Sequence, residues 1–73
     1  LNPHHSTTGH SHAGQEEVYI FRTGEGEMEI NKRRLPVKEG DIIFIVDGDF
    51  HRVHNTSDSM LEFVCVFDGV RSH

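Results

Sequence analysis

Residues 26–31 read GEMEIN, and polarity alternates along them: Met28 and Ile30 fall on one side of an extended chain, Glu27 and Glu29 on the other. Successive strand side chains point to opposite faces, so this stretch predicts a half-buried strand. Residues 16–23 (EEVYIFRT) are rich in aromatic and β-branched types and stop at Gly24, which predicts another strand. After the turn signal Gly40-Asp41, residues 42–46 (IIFIV) form an unbroken apolar run. Such a run predicts a strand covered on both faces, with a buried helical turn as the alternative that periodicity leaves open. Residues 50–55 (FHRVHN) and 60–67 (MLEFVCVF) predict two further strands, separated from their neighbours by the polar stretches 47–49 (DGD) and 55–59 (NTSDS). Residues 31–34 (NKRR) predict a solvated turn, and Pro36 beyond them is confined to an edge strand or a strand start. No helical period and no internal repeat is present.

About six or seven short strands with turn signals every 8–12 residues predict an all-β sandwich or barrel. Two sheets packed face to face bury alternate positions of each strand. If Glu17 faces inward, so do Tyr19 and Phe21, and if His51 does, so does Val53. On the last strand Leu61, Phe63, Cys65 and Phe67 share one face. Tyr19, Phe21, Phe44 and Phe67 are the expected aromatic core, with Tyr19 best placed to reach a pocket. The opposite faces, with Val18, Ile20, Val64 and Val66, are also apolar. Apolar side chains on both faces predict that a second subunit covers one of them, and hence a homodimer.

Length and charge narrow the function. A chain of 73 residues is one domain (1–73), small enough to need help from a metal or a partner. Cys65 is the only cysteine, so no disulfide forms within the chain, and by default it is a small apolar filler. The net charge is −5, and only Lys32, Arg33 and Arg34 cluster among the basic residues, at an expected hairpin tip. Nucleic acid is therefore not an expected partner. No apolar run reaches the length of a membrane span and no signal-peptide pattern opens the chain, so a soluble, cytoplasmic protein without a membrane partner is expected.

The distinctive feature is seven histidines. His10 and His12 are two apart, so on an extended chain both imidazoles reach one point. Glu17 follows after a glycine-containing stretch that allows a turn, and His51 is within reach as a fourth donor. Two histidines with a carboxylate suit a first-row divalent metal and leave coordination positions open. Asn55, Asp47 or Asp49 is the expected acceptor for a ligating imidazole's second N–H. His4 and His5 are expected to be free. His54 alternates with His51 and Val53, so it is expected to point away from such a centre.

The stretches His10-x-His12-x4-Glu17-x6-Gly24 and Gly40-x5-Val46-x-Gly48-x2-His51-x3-Asn55 resemble the two motifs of the cupin superfamily, in order, over residues 9–55. Val46 stands where the family's second motif has proline. The resemblance implies a small double-sheet jelly-roll barrel of about six to eight strands. It also implies a metal held by His10, His12, Glu17 and His51, the ion being Mn, Fe, Ni, Co, Cu or Zn. The family has further strands before the first motif, so either a preceding N-terminal segment or a partner chain is expected to close the barrel. Three functions are consistent with this. One is a sugar or sugar-phosphate isomerase or epimerase, for which His51-Arg52-x-x-Asn55 resembles a stretch of phosphomannose-isomerase-like cupins. The second is an iron-dependent oxygenase of a small organic substrate, whose dry pocket Phe21, Met28, Phe44 and Phe67 would line. The third is a non-catalytic module that binds a metal or small ligand. Tyr19 and His54 are the candidates for a catalytic group. A Lys or Arg beside the metal would favour the sugar-phosphate reading.

Overall fold

The computed structural model describes residues 1–9, 11, 16–46 and 48–67. Among them are six strands: β1 Glu17–Thr23, β2 Glu25–Ile30, β3 Arg33–Lys38, β4 Ile42–Ile45, β5 His51–His54 and β6 Glu62–Phe67. They form two three-stranded antiparallel sheets, ordered β4-β1-β6 and β3-β2-β5. The alternation read from the sequence decides which side chains lie between them. Glu17, Tyr19 and Phe21 of β1 are buried, whereas Val18 and Ile20 are only half-buried. From the other sheet Gly26, Met28, Val37, His51 and Val53 are buried. Ile45 and Leu61 complete the core, and Phe63 packs against it with its ring 5.5 Å from that of Phe21.

Consecutive strands β1 and β2 lie in different sheets, so the chain must turn a corner at Gly24. There φ is +89°, and a Cβ would stand 2.4 Å from the carbonyl oxygen of Met60. Only glycine satisfies both demands. Residues 1–9 are tied to β5 and to the loop beyond it. Ser6 bridges His54, and Thr7 N–H donates to the Val53 carbonyl at 2.9 Å.

Three expectations need correction. Residues 42–46 do not form a strand covered on both faces: β4 ends at Ile45 and is an edge strand among the described residues, with Ile42, Phe44 and Val46 exposed. Phe44 and Phe67 are accordingly not core, at 56 % and 40 % exposed. Phe44 points outward with Val18, its partner in register, and Phe67 lies at the end of β6. The turn after β2 is confined to Asn31 and Lys32, while Arg33 and Arg34 begin β3. Asn31 adopts φ +56°, and its carboxamide is held by Phe50 N–H (3.1 Å) and Asp49 (3.2 Å). This compact anchorage lets the next strand start two residues early. Pro36 sits within β3, on the outer strand of its sheet, as its missing N–H requires.

The outward face of the sheet β4-β1-β6 carries two apolar cross-strand rows. One is Phe44–Val18–Val66, the other Ile42–Ile20–Val64. The outward face of β3-β2-β5 is polar by contrast, with Arg34 paired to Glu27 at 2.8 Å and His54 to Glu29 at 2.7 Å.

Candidate metal centre

Glu17 opens β1 and His51 opens β5, in opposite sheets. Both point inward and are almost wholly buried, at 5 % and 1 % exposed. Their side chains meet between the sheets, with His51 Nε2 2.9 Å from Glu17 Oε2. The other ring nitrogen fixes the chemistry of this approach. His51 Nδ1 lies 2.9 Å from the carbonyl oxygen of Asp49, which can only accept, so Nδ1 carries a proton. In a neutral imidazole Nε2 then presents a lone pair to a carboxylate oxygen that also offers only lone pairs. Two such acceptors meet favourably in a buried setting only across a proton or a metal cation. A backbone carbonyl on the far nitrogen is also the usual support of a metal-binding histidine. The donor pair and its orientation therefore fit a divalent metal.

The second oxygen of Glu17 has other neighbours. Cys65 Sγ donates to Oε1 at 3.1 Å, and Tyr19 O–H approaches the same oxygen at 3.4 Å. Cys65 is paired in register with Tyr19 across β1 and β6, one step diagonal from Glu17. Burial pushes the Cys65 thiol up to about 11, and its hydrogen bond to the Glu17 carboxylate acts in the same direction. Burial also raises Tyr19 far above the usual phenol range, followed by the influence of Cys65 and then Glu17. Both groups are thus neutral donors around neutral pH. The Tyr19 ring meets His51 edge-on at 5.8 Å and packs at a tilt against Phe63 at 5.7 Å, which closes this side with aromatic surface.

Of the four expected ligands, the structure brings Glu17 and His51 together. His10 and His12 lie outside the described residues. Among the described residues no group of three His, Cys, Asp or Glu side chains is arranged to hold a metal ion. The imidazole's support is Asp49, through its main chain. Asp47 lies outside the described residues. Asn55 does not serve there. It is buried, and its amide donates to the carbonyls of Leu1 (3.0 Å), Asn2 (3.1 Å) and Ser59 (2.7 Å), which latches the first residues onto the barrel.

His54 points away from the centre, as its alternation with Val53 requires. Its Nε2–H donates to Glu29 Oε1 at 2.7 Å and its Nδ1 faces Ser6 Oγ at 2.7 Å. His4 and His5 are not free: His4 pairs with Asp58 at 2.6 Å and His5 donates to the Pro3 carbonyl at 2.8 Å. Arg52 faces outward and donates to the Thr7 carbonyl at 2.9 Å. The buried polar residues among those described are Glu17, His51 and Asn55, so no described Lys or Arg is buried beside the pair. The contact that sequence reasoning missed is that of Cys65 with Glu17. Its one signal was a cysteine on a strand face otherwise filled by the apolar Leu61, Phe63 and Phe67.

A family model described as the cupin domain matches residues 1–67. The chain is 38 % identical over 66 residues to an oxalate-binding protein of Thermotoga maritima, covering 90 % of this chain and 54 % of that protein. It is 31 % identical over 74 residues to a glucose-6-phosphate isomerase of Pyrococcus horikoshii, covering 92 % and 39 %. Among solved structures it resembles a predicted oxalate decarboxylase of Thermotoga maritima with a TM-score of 0.88 at 37 % identity, over 92 % of this chain and 58 % of that one. A cupin 2 conserved barrel domain protein of Salinispora arenicola gives a TM-score of 0.85 at 28 % identity, over 94 % and 58 %. The chain spans about half the length, or less, of these curated relatives. No helix among the described residues is long and apolar enough to cross a membrane.

Proposed function

The chain belongs to the cupin domain family, and on that premise we propose that it is a small cupin domain that holds one divalent metal ion between its sheets and binds a small oxyanionic ligand there, a dicarboxylate such as oxalate. The metal ligands in this reading are His10, His12, Glu17 and His51. The observation that carries it is the approach of His51 Nε2 to Glu17 Oε2 at 2.9 Å with Nδ1 already committed to the Asp49 carbonyl. The choice of ligand rests on the likeness to an oxalate-binding protein and on charge. A dianion entering an interior beside a glutamate, with no described Lys or Arg buried there, needs a cation to receive it. A divalent ion would supply that charge and leave positions for two carboxylate oxygens. The chain's own residues do the rest: Glu17 and His51 orient the ion, and Tyr19 and Phe63 keep one wall dry.

A second reading, a metal-dependent isomerase of a sugar phosphate, is supported by the likeness to the isomerase of Pyrococcus horikoshii. The outward course of Arg52 argues against it, because the one cation of the His51-Arg52-x-x-Asn55 stretch is spent on the Thr7 carbonyl.

The test is elemental analysis of protein purified without added metal, followed by calorimetric titration with oxalate, with glucose 6-phosphate, and with oxalate after chelation. Stoichiometric metal and chelator-sensitive oxalate binding are expected. Binding and isomerisation of glucose 6-phosphate without oxalate binding would transfer the assignment to the isomerase. Iron with substrate-dependent oxygen uptake would transfer it to an oxygenase. Protein that takes up no divalent metal would end the proposal.

A further inference from the structure

Resting on the metal-binding reading of Glu17 and His51, we infer that Cys65, with Tyr19 behind it, is a positioning residue that holds one oxygen of Glu17 so that only the other is presented to the metal. The two carboxylate oxygens have different surroundings. Oε1 is approached by Cys65 Sγ at 3.1 Å and, more weakly, by Tyr19 O–H at 3.4 Å. Oε2 is the oxygen turned to His51 Nε2. A carboxylate free on both oxygens can chelate a metal and occupy two positions. One whose second oxygen is engaged by donors contributes a single bond and leaves a position for an incoming ligand.

The residue type at 65 supports the inference. Its neighbours Phe63, Val64, Val66 and Phe67 are all apolar, and a small apolar residue would pack against the core at this position without a thiol. Of these residues cysteine alone carries a donor. The antiparallel register sets it opposite Tyr19 and diagonal to Glu17, a separation that side chains of this length span. Metal-bound carboxylates are commonly steered by such partners, whose loss weakens metal affinity by about 10- to 100-fold.

The experiment loads wild type, Cys65→Val, Cys65→Ser and Tyr19→Phe with cobalt(II). It records the d–d absorption, the cobalt affinity by chelator competition, and the melting temperature of each metal-free protein. With Cys65→Val the carboxylate swings to bind through both oxygens. Cobalt absorption should then weaken as the coordination number rises, and affinity should fall by about 10-fold or more. Cys65→Ser restores a donor and should return the wild-type spectrum, a rescue that a purely structural role would not give. Tyr19→Phe should shift the spectrum less, since its bond is the longer one. Should Cys65→Val not fold, Cys65→Ala carries the same comparison. A wild-type spectrum and affinity in the donor-free variants would overturn the inference while leaving the metal site standing. Wild type that takes up no cobalt would overturn both.

Discussion

At the scale of single residues, the centre turns on where one proton sits. His51 donates its Nδ1–H to a backbone carbonyl, so in the neutral imidazole Nε2 is the electron pair that faces Glu17. Replacing His51 by alanine should therefore remove most bound metal from protein purified without additives, as read by elemental analysis. The same substitution should make the melting temperature insensitive to chelator. The wild type should lose stability on chelation, by about 2.7 kcal/mol if the ion is present at a hundred times its dissociation constant. Equal metal content in the two proteins would remove His51 from the ligand set. That Glu17 shares a face with Tyr19 and Phe21, and His51 with Val53, was legible in the sequence because a strand has a period of two. The inward turn of that face followed only from the family resemblance, since both faces of β1 are apolar. The partnership of Cys65 with Glu17 was not, because it depends on which strand lies beside β1 and in what register. Asn55 was legible as a special residue but not in its role. Its three carbonyl partners are set by the path of the first residues over the barrel end. Asn55→Ala should leave those part-buried carbonyls short of a donor and cost about 1–3 kcal/mol, measured by denaturant unfolding. A change within experimental error would show that the latch contributes nothing.

Among the elements, the informative one is β4. An unbroken apolar run has the same composition in a central strand between two layers and in an edge strand whose outer row joins an apolar sheet face. Only the sheet order β4-β1-β6 separates these, and that order is a non-local fact. The strands that could be read directly were those with one wet face. In β2, Glu27 and Glu29 face out while Met28 faces in. Turn residues were legible wherever a backbone demand singles out an amino acid. Gly24 is the sharpest case, since the corner between the sheets needs both a left-handed backbone and no Cβ near the Met60 carbonyl. Gly24→Ala should therefore destabilise the domain by about 2–4 kcal/mol, from the positive φ together with the displaced backbone. Thermal unfolding would read this as a clear drop in melting temperature, and an unchanged midpoint would mean that the corner is softer than this geometry requires. Gly40, at φ +93° with no atom within 4 Å of its would-be Cβ, lacks the second demand and should tolerate alanine better.

The whole molecule presents two sheet faces to its surroundings, and they differ in kind. One bears ion pairs, and the other bears the rows Phe44–Val18–Val66 and Ile42–Ile20–Val64. A monomer rarely leaves a contiguous apolar face of this type open to water. An edge strand as apolar as β4 adds a pairing hazard, because its outer hydrogen-bonding groups are a template for another chain. The chain spans about half the length, or less, of the relatives it matches, so two covers are physically reasonable: further chain of the same polypeptide, or a second copy. A second copy is what the apolar faces of β1 and β6 predict from sequence, and a two-fold axis through the face would set Val18 and Ile20 against their own equivalents. Light scattering on the 73-residue chain should then give the mass of a dimer over a wide concentration range. Phe44→Lys and Val66→Lys lie on one row and should together shift the mass to that of a monomer, without altering metal content, since neither side chain points between the sheets. A wild-type monomer at every concentration would assign the face to covering chain within a longer polypeptide. Loss of metal along with the dimer would instead mean that the second copy closes the centre itself.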